Sequence, residues 1–245
     1  METRTSPLNL KRSFHLLGYD GFQYAENNGF AGGIIVSWKE QLIEVEVLVN
    51  HFQFLHLKVT LQSRRIFFFS SVYASPREEG RHELWRELKN ISRGMVGEWL
   101  LVGDFNDIAH PSEKKGGIPA QQRRCNNFVD RINDCKLIDC GATGPKFTWR
   151  GPIFQNDDRI FERLDRALSN DEWRLGFPNA VVKVLPRINF SDHHPLLIAL
   201  YGFDQVQRTR YFKFESAWLL EESYMKMLEA GWDGLEGYYS RKNYK

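Results

Sequence analysis

Trp99-Leu100-Leu101-Val102 is an unbroken apolar run that ends at Gly103-Asp104-Phe105-Asn106. Such a run, bounded by a glycine, reads as a fully buried strand. Period-two alternation carries Asp104 and Asn106 to one side of its C-terminal end, with Phe105 opposite. A carboxylate at the mouth of a buried strand is costly to desolvate unless chemistry or a metal ion makes use of it. Carboxylate beside amide suits a hard, oxygen-liganded cation and a water to be activated. As a lone tetrapeptide, however, it reads first as an ordinary strand-to-loop turn, because Gly, Asp and Asn are common there. Chemistry needs partners from elsewhere in the chain.

The surrounding pattern predicts where those partners stand. Strands are expected at 32–38, 43–49, 52–60 and 66–74, joined by short connections as an antiparallel meander. A helix over 77–95 puts Leu84, Leu88 and Ile91 on one face with Trp85 adjacent, and a second over 123–137 turns Phe128, Val129, Ile132 and Cys135 inward. Further strands are predicted at 147–149, 162–168, 181–185 and 195–200, and Asn170 caps a short helix containing Trp173. Strands dominate, and the helices fall too irregularly for a doubly wound parallel sheet. The fold class is therefore α+β, with two packed sheets and helices outside. Composition shifts after Tyr201, which places a domain boundary near 202. Residues 203–245 read as a polar connector followed by one amphipathic helix, Trp218 to Trp232.

Composition excludes little else. The 245 residues carry a formal net charge of +2, so any basic surface is local. Three cysteines, Cys125, Cys135 and Cys140, match no zinc spacing and read as free thiols in a reducing compartment. No segment has the apolar length of a membrane span, and the N-terminus has no apolar core of a secretory signal. A soluble, intracellular, monomeric protein without a membrane partner is expected.

Other polar clusters flank the predicted strands: Glu2-Thr3-Arg4, Val72-Tyr73-Ala74-Ser75-Pro76, Arg163-Leu164-Asp165-Arg166 and Ser191-Asp192-His193-His194-Pro195. Each alone is weak. In this order, with the glycine pair at 32–33 and Phe147-Thr148-Trp149, they resemble the endonuclease/exonuclease/phosphatase family over residues 2–200. The segments 111–117, 144–149, 162–167 and 211–218 resemble the endonuclease region of plant non-LTR (LINE-type) retroelements and its connector towards a reverse transcriptase.

That resemblance implies a DNase I-like, four-layer α/β/β/α sandwich and hydrolysis of a phosphodiester in DNA. It makes Glu2 and Asp192 the metal carboxylates for Mg²⁺ or Mn²⁺. Asp104 orients the attacking water, and Asn106 holds that water or a phosphate oxygen. His193 and Tyr73 donate to the phosphate, and Asp165 fixes the imidazole. Arg77, Lys114 and Lys115 are the expected substrate contacts, with Arg81, Arg123 and Arg124 as further loop charges; Trp149 either stacks against a sugar or base of the substrate or lies buried under the site. A nuclear location follows from the same resemblance. By the family's pattern a first strand bearing an Asn precedes the Glu motif and is lacking here. An inactive remnant that keeps only the fold or nucleic-acid binding is therefore the alternative to a nicking endonuclease. A phosphatase or lipid phosphodiesterase of the same family is the third reading.

Overall fold

The computed structural model describes residues 7–26, 33–154 and 158–203, together with Ser223 and Lys226. Glu2-Thr3-Arg4, Gly32 and the expected helix 218–232 (apart from Lys226 and Ser223) lie outside the described residues. The chain divides into two units, Met1–Phe203 and Asp204–Lys245, and the site lies in the first.

At its centre is the predicted apolar strand. Among the described residues it joins five others in the order β3 (Ile43–His51), β4 (Phe54–Leu61), β5 (Ile66–Tyr73), β6 (Trp99–Asp104), β11 (Asp165–Ser169) and β8 (Ile138–Asp139). Only β5 and β6 run parallel, joined by helix α2 (Glu78–Gly94) as a crossover. Alternation divides β6 between two cores. Trp99 and Leu101, with Phe54, Val72 and Leu168, face α2 and α3 (Gln122–Asp134), meeting Leu84, Trp85, Leu88, Phe128 and Ile132. Leu100 and Val102, with Leu55, Leu57, Val59, Phe67 and Ala167, face a second layer.

That layer consists, among the described residues, of two separate hairpins. They are β1 (Gly21–Ala25) with β2 (Ile34–Trp38), and β12 (Val181–Val184) with β13 (Leu196–Ala199). Helix α1 (Pro7–Leu16) packs on the first hairpin, with the Phe14 and Phe22 rings 5.8 Å apart. Helices, sheet, second strand layer and outer helix make the expected α/β/β/α stack. A smaller sheet orders β7 (Lys114–Lys115), β10 (Arg159–Glu162) and β9 (Trp149–Ile153). Asn170 caps α4 (Asp171–Gly176) as predicted, its Oδ1 accepting from Trp173 N at 3.0 Å, and the same oxygen accepts from Trp99 N at 2.9 Å. One side chain thus ends β11 and starts β6.

Two strand predictions need correction. Strand β2 does not extend the β3–β4–β5 meander; it pairs with β1, which the mixed residues Gly21-Phe22-Gln23-Tyr24-Ala25 did not announce. The expected strand 162–168 is broken at Arg163-Leu164 into β10 and β11, which belong to different sheets. The cause is Thr148: its buried Oγ1 accepts from both Leu164 N (3.0 Å) and Asp165 N (2.9 Å), drawing that backbone out of a continuous ladder. Asp165 is consequently the first residue of β11 rather than an interior one.

Gly103 explains itself sterically. A Cβ there would stand 1.8 Å from the Val72 carbonyl oxygen, on the neighbouring parallel strand. Gly103→Ala must push β5 and β6 apart, at a cost of about 3 kcal/mol, the upper range for overpacking. Urea denaturation is expected to show a matching loss of stability, and an unchanged midpoint would contradict this packing.

Candidate active site

The sheet register sets three polar residues in one row. Tyr73 pairs with Asp104 across β5–β6, and Asp104 pairs with Asp165 across β6–β11. Adjacent strands lie about 4.8 Å apart, so the three stand side by side on the face of the second layer. Asp165 Oδ2 lies 2.8 Å from His193 Nδ1, and an isolated bridge between Trp149 and His193 holds the histidine's backbone against the motif Phe147-Thr148-Trp149.

The turn after Asp104 is built to orient its carboxylate. Oδ1 accepts from Asn106 N and Oδ2 from Asn106 Nδ2, both at 2.8 Å. Asn106 Nδ2 spends its other N–H on the Ala74 carbonyl at 2.8 Å. Both amide hydrogens are thereby used, which leaves the Asn106 side-chain oxygen, an acceptor, for a water. Its φ of +48° is a left-handed conformation that asparagine tolerates better than most residues. Arg124 secures the turn, with Nη2 donating to the Asn106 carbonyl (2.9 Å) and Nε to Asp107 Oδ1 (2.7 Å). Asp107 is fully buried and pairs as well with Arg81 at 3.2 Å. Arg81 and Arg124, expected as loop charges facing a phosphate backbone, are therefore committed to Asp107.

A second ionic cluster braces Asp165. Arg166, completely buried, and Arg163 are both held by Glu113 and Asp139, and the Arg166 guanidinium lies over the Phe128 ring at 5.1 Å. The two carboxylates are held below their ordinary range: burial opposes their charge, but the arginine hydrogen bonds and charges outweigh it.

One cavity of about 920 Å³ gathers Tyr73, Asp104, Asp165, Asp192 and His193. Five residues that are scattered between positions 73 and 193 thus meet in one place. Trp149 does not line the cavity; it packs beside Ile108, Cys125 and Leu164, and its Nε1 donates to Asp192 Oδ2 at 3.1 Å. Lys114 is paired to Glu162 at 2.7 Å, largely out of solvent, and Lys115 stands opposite Phe161 in β7–β10. Arg77 is an exposed residue at the N-terminus of α2. Glu2 lies outside the described residues. Three arginines that sequence reasoning missed do line the cavity, Arg150, Arg159 and Arg187. They come from β9, β10 and the 185–195 segment, so only the folded chain shows them together.

A family model, described as the Endonuclease/Exonuclease/phosphatase family, matches residues 1–193. The chain belongs to that family. Membership supports phosphoester hydrolysis of the nuclease or phosphatase type. A comparison with curated proteins gives no match. Among solved structures, the chain is similar to the endonuclease domain of TRAS1, a telomere-specific non-LTR retrotransposon, at 14% identity and a TM-score of 0.57, covering 73% of this chain and 78% of that one. The human Nocturnin catalytic domain matches at 14% identity and TM-score 0.45, over 78% and 76% of the two chains. D. rerio TDP2 complexed with single-strand DNA product matches at 12% and 0.47, over 77% and 78%. At such identity the TRAS1 likeness establishes the DNase I-like fold alone.

The electrostatics of the site centre on the histidine. Burial disfavours charge on His193, but the Asp165 hydrogen bond and the charges of Asp165, Asp104 and Asp192 raise its pKa to about 9. Asp104 and Asp192 carry hard oxygen donors of the kind a divalent cation takes. Among the described residues no three His, Cys, Asp or Glu side chains stand together as a metal site.

Because the folded pKa exceeds the ordinary 6.5, the Asp165–His193 pair contributes stability that is full below pH 6.5 and is lost as pH rises to about 9. In the metal-free chain, NMR titration of the imidazole is expected to give a midpoint near 9. Asp165→Asn should lower it by at least one unit, and a wild-type midpoint near 6.5 would refute the coupling.

Proposed function

We propose that this protein is a divalent-metal-dependent DNA endonuclease that nicks its substrate in the manner of a retroelement endonuclease. The observation that carries this reading is the Tyr73–Asp104–Asp165 row closed by the 2.8 Å Asp165–His193 contact. A phosphodiester bound in the cavity meets donors on one side and a water-orienting carboxylate on the other. His193, its proton held by the Asp165 contact, donates from its outer nitrogen to a non-bridging oxygen as negative charge builds there. Asp165 accepts from Nδ1 and so fixes the ring's orientation. Tyr73 directs its phenol at the same phosphate. Asp104, held from behind by Asn106, orients the attacking water for in-line displacement, and no covalent intermediate is required.

Asp192, braced by the Trp149 indole, and Glu2 would be the ligands of the cation, Mg²⁺ or Mn²⁺, which would neutralise charge on the phosphate oxygens. The arginines at the cavity rim supply the local positive charge that the overall balance of the chain withholds. Residues 203–245 fit a connector towards a reverse transcriptase, and a DNA substrate fits a nuclear location.

Supercoiled plasmid is expected to be nicked in Mg²⁺ and left intact in excess EDTA. Asp104→Ala and His193→Ala should each lower the rate by about 10²–10⁴-fold, the range for lost acid–base or oxyanion groups. Equal activity in those variants would refute the reading. A chain that binds plasmid in Mg²⁺ and leaves it uncut would instead be the inactive, fold-retaining form.

A further inference from the structure

The segment that carries His193 into the site also carries the most exposed large apolar residue among those described. Phe190 is 99% exposed and Ile188 58% exposed, and both line the catalytic cavity with Arg150, Arg159 and Arg187. Single exposed apolar residues are ordinary on protein surfaces. A fully exposed phenyl ring beside three guanidinium groups and a phosphate-directed histidine is not placed like one of those. Its loop is well braced: Arg187 Nη1 donates to the Ser191 carbonyl at 2.6 Å, and Ser191 N donates to the Ile188 carbonyl at 3.0 Å. The ring is held out from a closed turn, not left on a loose end.

Resting on the endonuclease reading, we infer that Phe190, supported by Ile188, is an apolar wedge that enters a duplex at a base step beside the scissile phosphate. Phe190 precedes His193 by three residues, a reach of at most about 10 Å. With about 3.4 Å of rise per nucleotide along a strand, the wedge falls within about three nucleotides of the bond that breaks. Partial unstacking there bends the duplex and brings more phosphates onto the arginine rim. Proteins that hold single strands use a series of aromatic side chains for successive bases. Here Phe190 makes no ring contact among the described residues, and the other rings lining the cavity are Tyr73 in the strand row and two imidazoles held by polar partners, His193 by Asp165 and His194 by the Leu185 carbonyl. One ring with no second platform suits insertion into a stack better than a run of stacked bases. Tyr73 stands in the strand row and serves the phosphate, which leaves the base step to Phe190.

The test uses the full chain and a duplex carrying 2-aminopurine near the cleavage site. Binding is expected to raise 2-aminopurine emission in wild type and in Phe190→Trp, and to leave it flat in Phe190→Ala. The ratio of kcat/KM for duplex to that for bis(p-nitrophenyl) phosphate should fall about tenfold in Phe190→Ala and recover in Phe190→Trp. Cleavage of duplex by wild type with flat emission overturns the wedge and leaves the endonuclease reading standing. Binding with raised emission but no cleavage supports the wedge and counts against that reading. Failure to bind duplex overturns both.

Discussion

The close approach of β5 and β6 is the constraint on which the site depends. Parallel pairing aligns Tyr73 with Asp104, and it holds only because Gly103 leaves room for the Val72 carbonyl. The buried run Trp99 to Leu101 helps to fix this register, since a one-residue slip would exchange the side chains that β6 gives to its two cores and misfit both. Given that register, Asp104 cannot move without its strand. The carboxylate is therefore placed by the packing of residues far from any substrate.

The remaining groups are brought to this row by polar contacts with long sequence separations. Thr148 ends β10 and begins β11, which makes Asp165 the partner of Asp104. Trp149 holds Asp192, and the backbone beside it holds His193. Arg124 and Asp107 fix the Asn106 turn, while Arg166, Glu113 and Asp139 fix the start of β11. The buried charges of these two clusters are paired, which offsets their desolvation penalty. The ionic clusters thus take up Arg81, Arg124, Arg163 and Arg166, whereas Arg150, Arg159 and Arg187 line the cavity.

Much of this was legible in the chain because it is local. The apolar run of β6, the helical faces of α2 and α3 and the Asn170 cap follow from spacing and from side chains that reach only a few residues. The polar motifs were legible as a set, and Tyr73, Asp104, Asp165, Asp192 and His193 do share one cavity. What escaped is non-local. No pattern within 159–169 announces that Thr148 will break the strand there. Lys114 looks free in a loop of Lys and Gly until Glu162 is folded against it. Arg81 and Arg124 look like surface charges until Asp107 is buried between them. Arg150, Arg159 and Arg187 look unremarkable until β9, β10 and the 185–195 segment close over one space.

The central claim is that these cross-strand neighbours form a single phosphate-binding centre. Titration of the ¹⁵N-labelled chain with a thymidine dinucleotide in the absence of divalent metal measures this directly. The backbone amides of Tyr73, Asp104, Asp165 and His193 are predicted to shift together along one binding isotherm. Shifts that follow different isotherms, or that leave these four unmoved while others respond, would contradict the account.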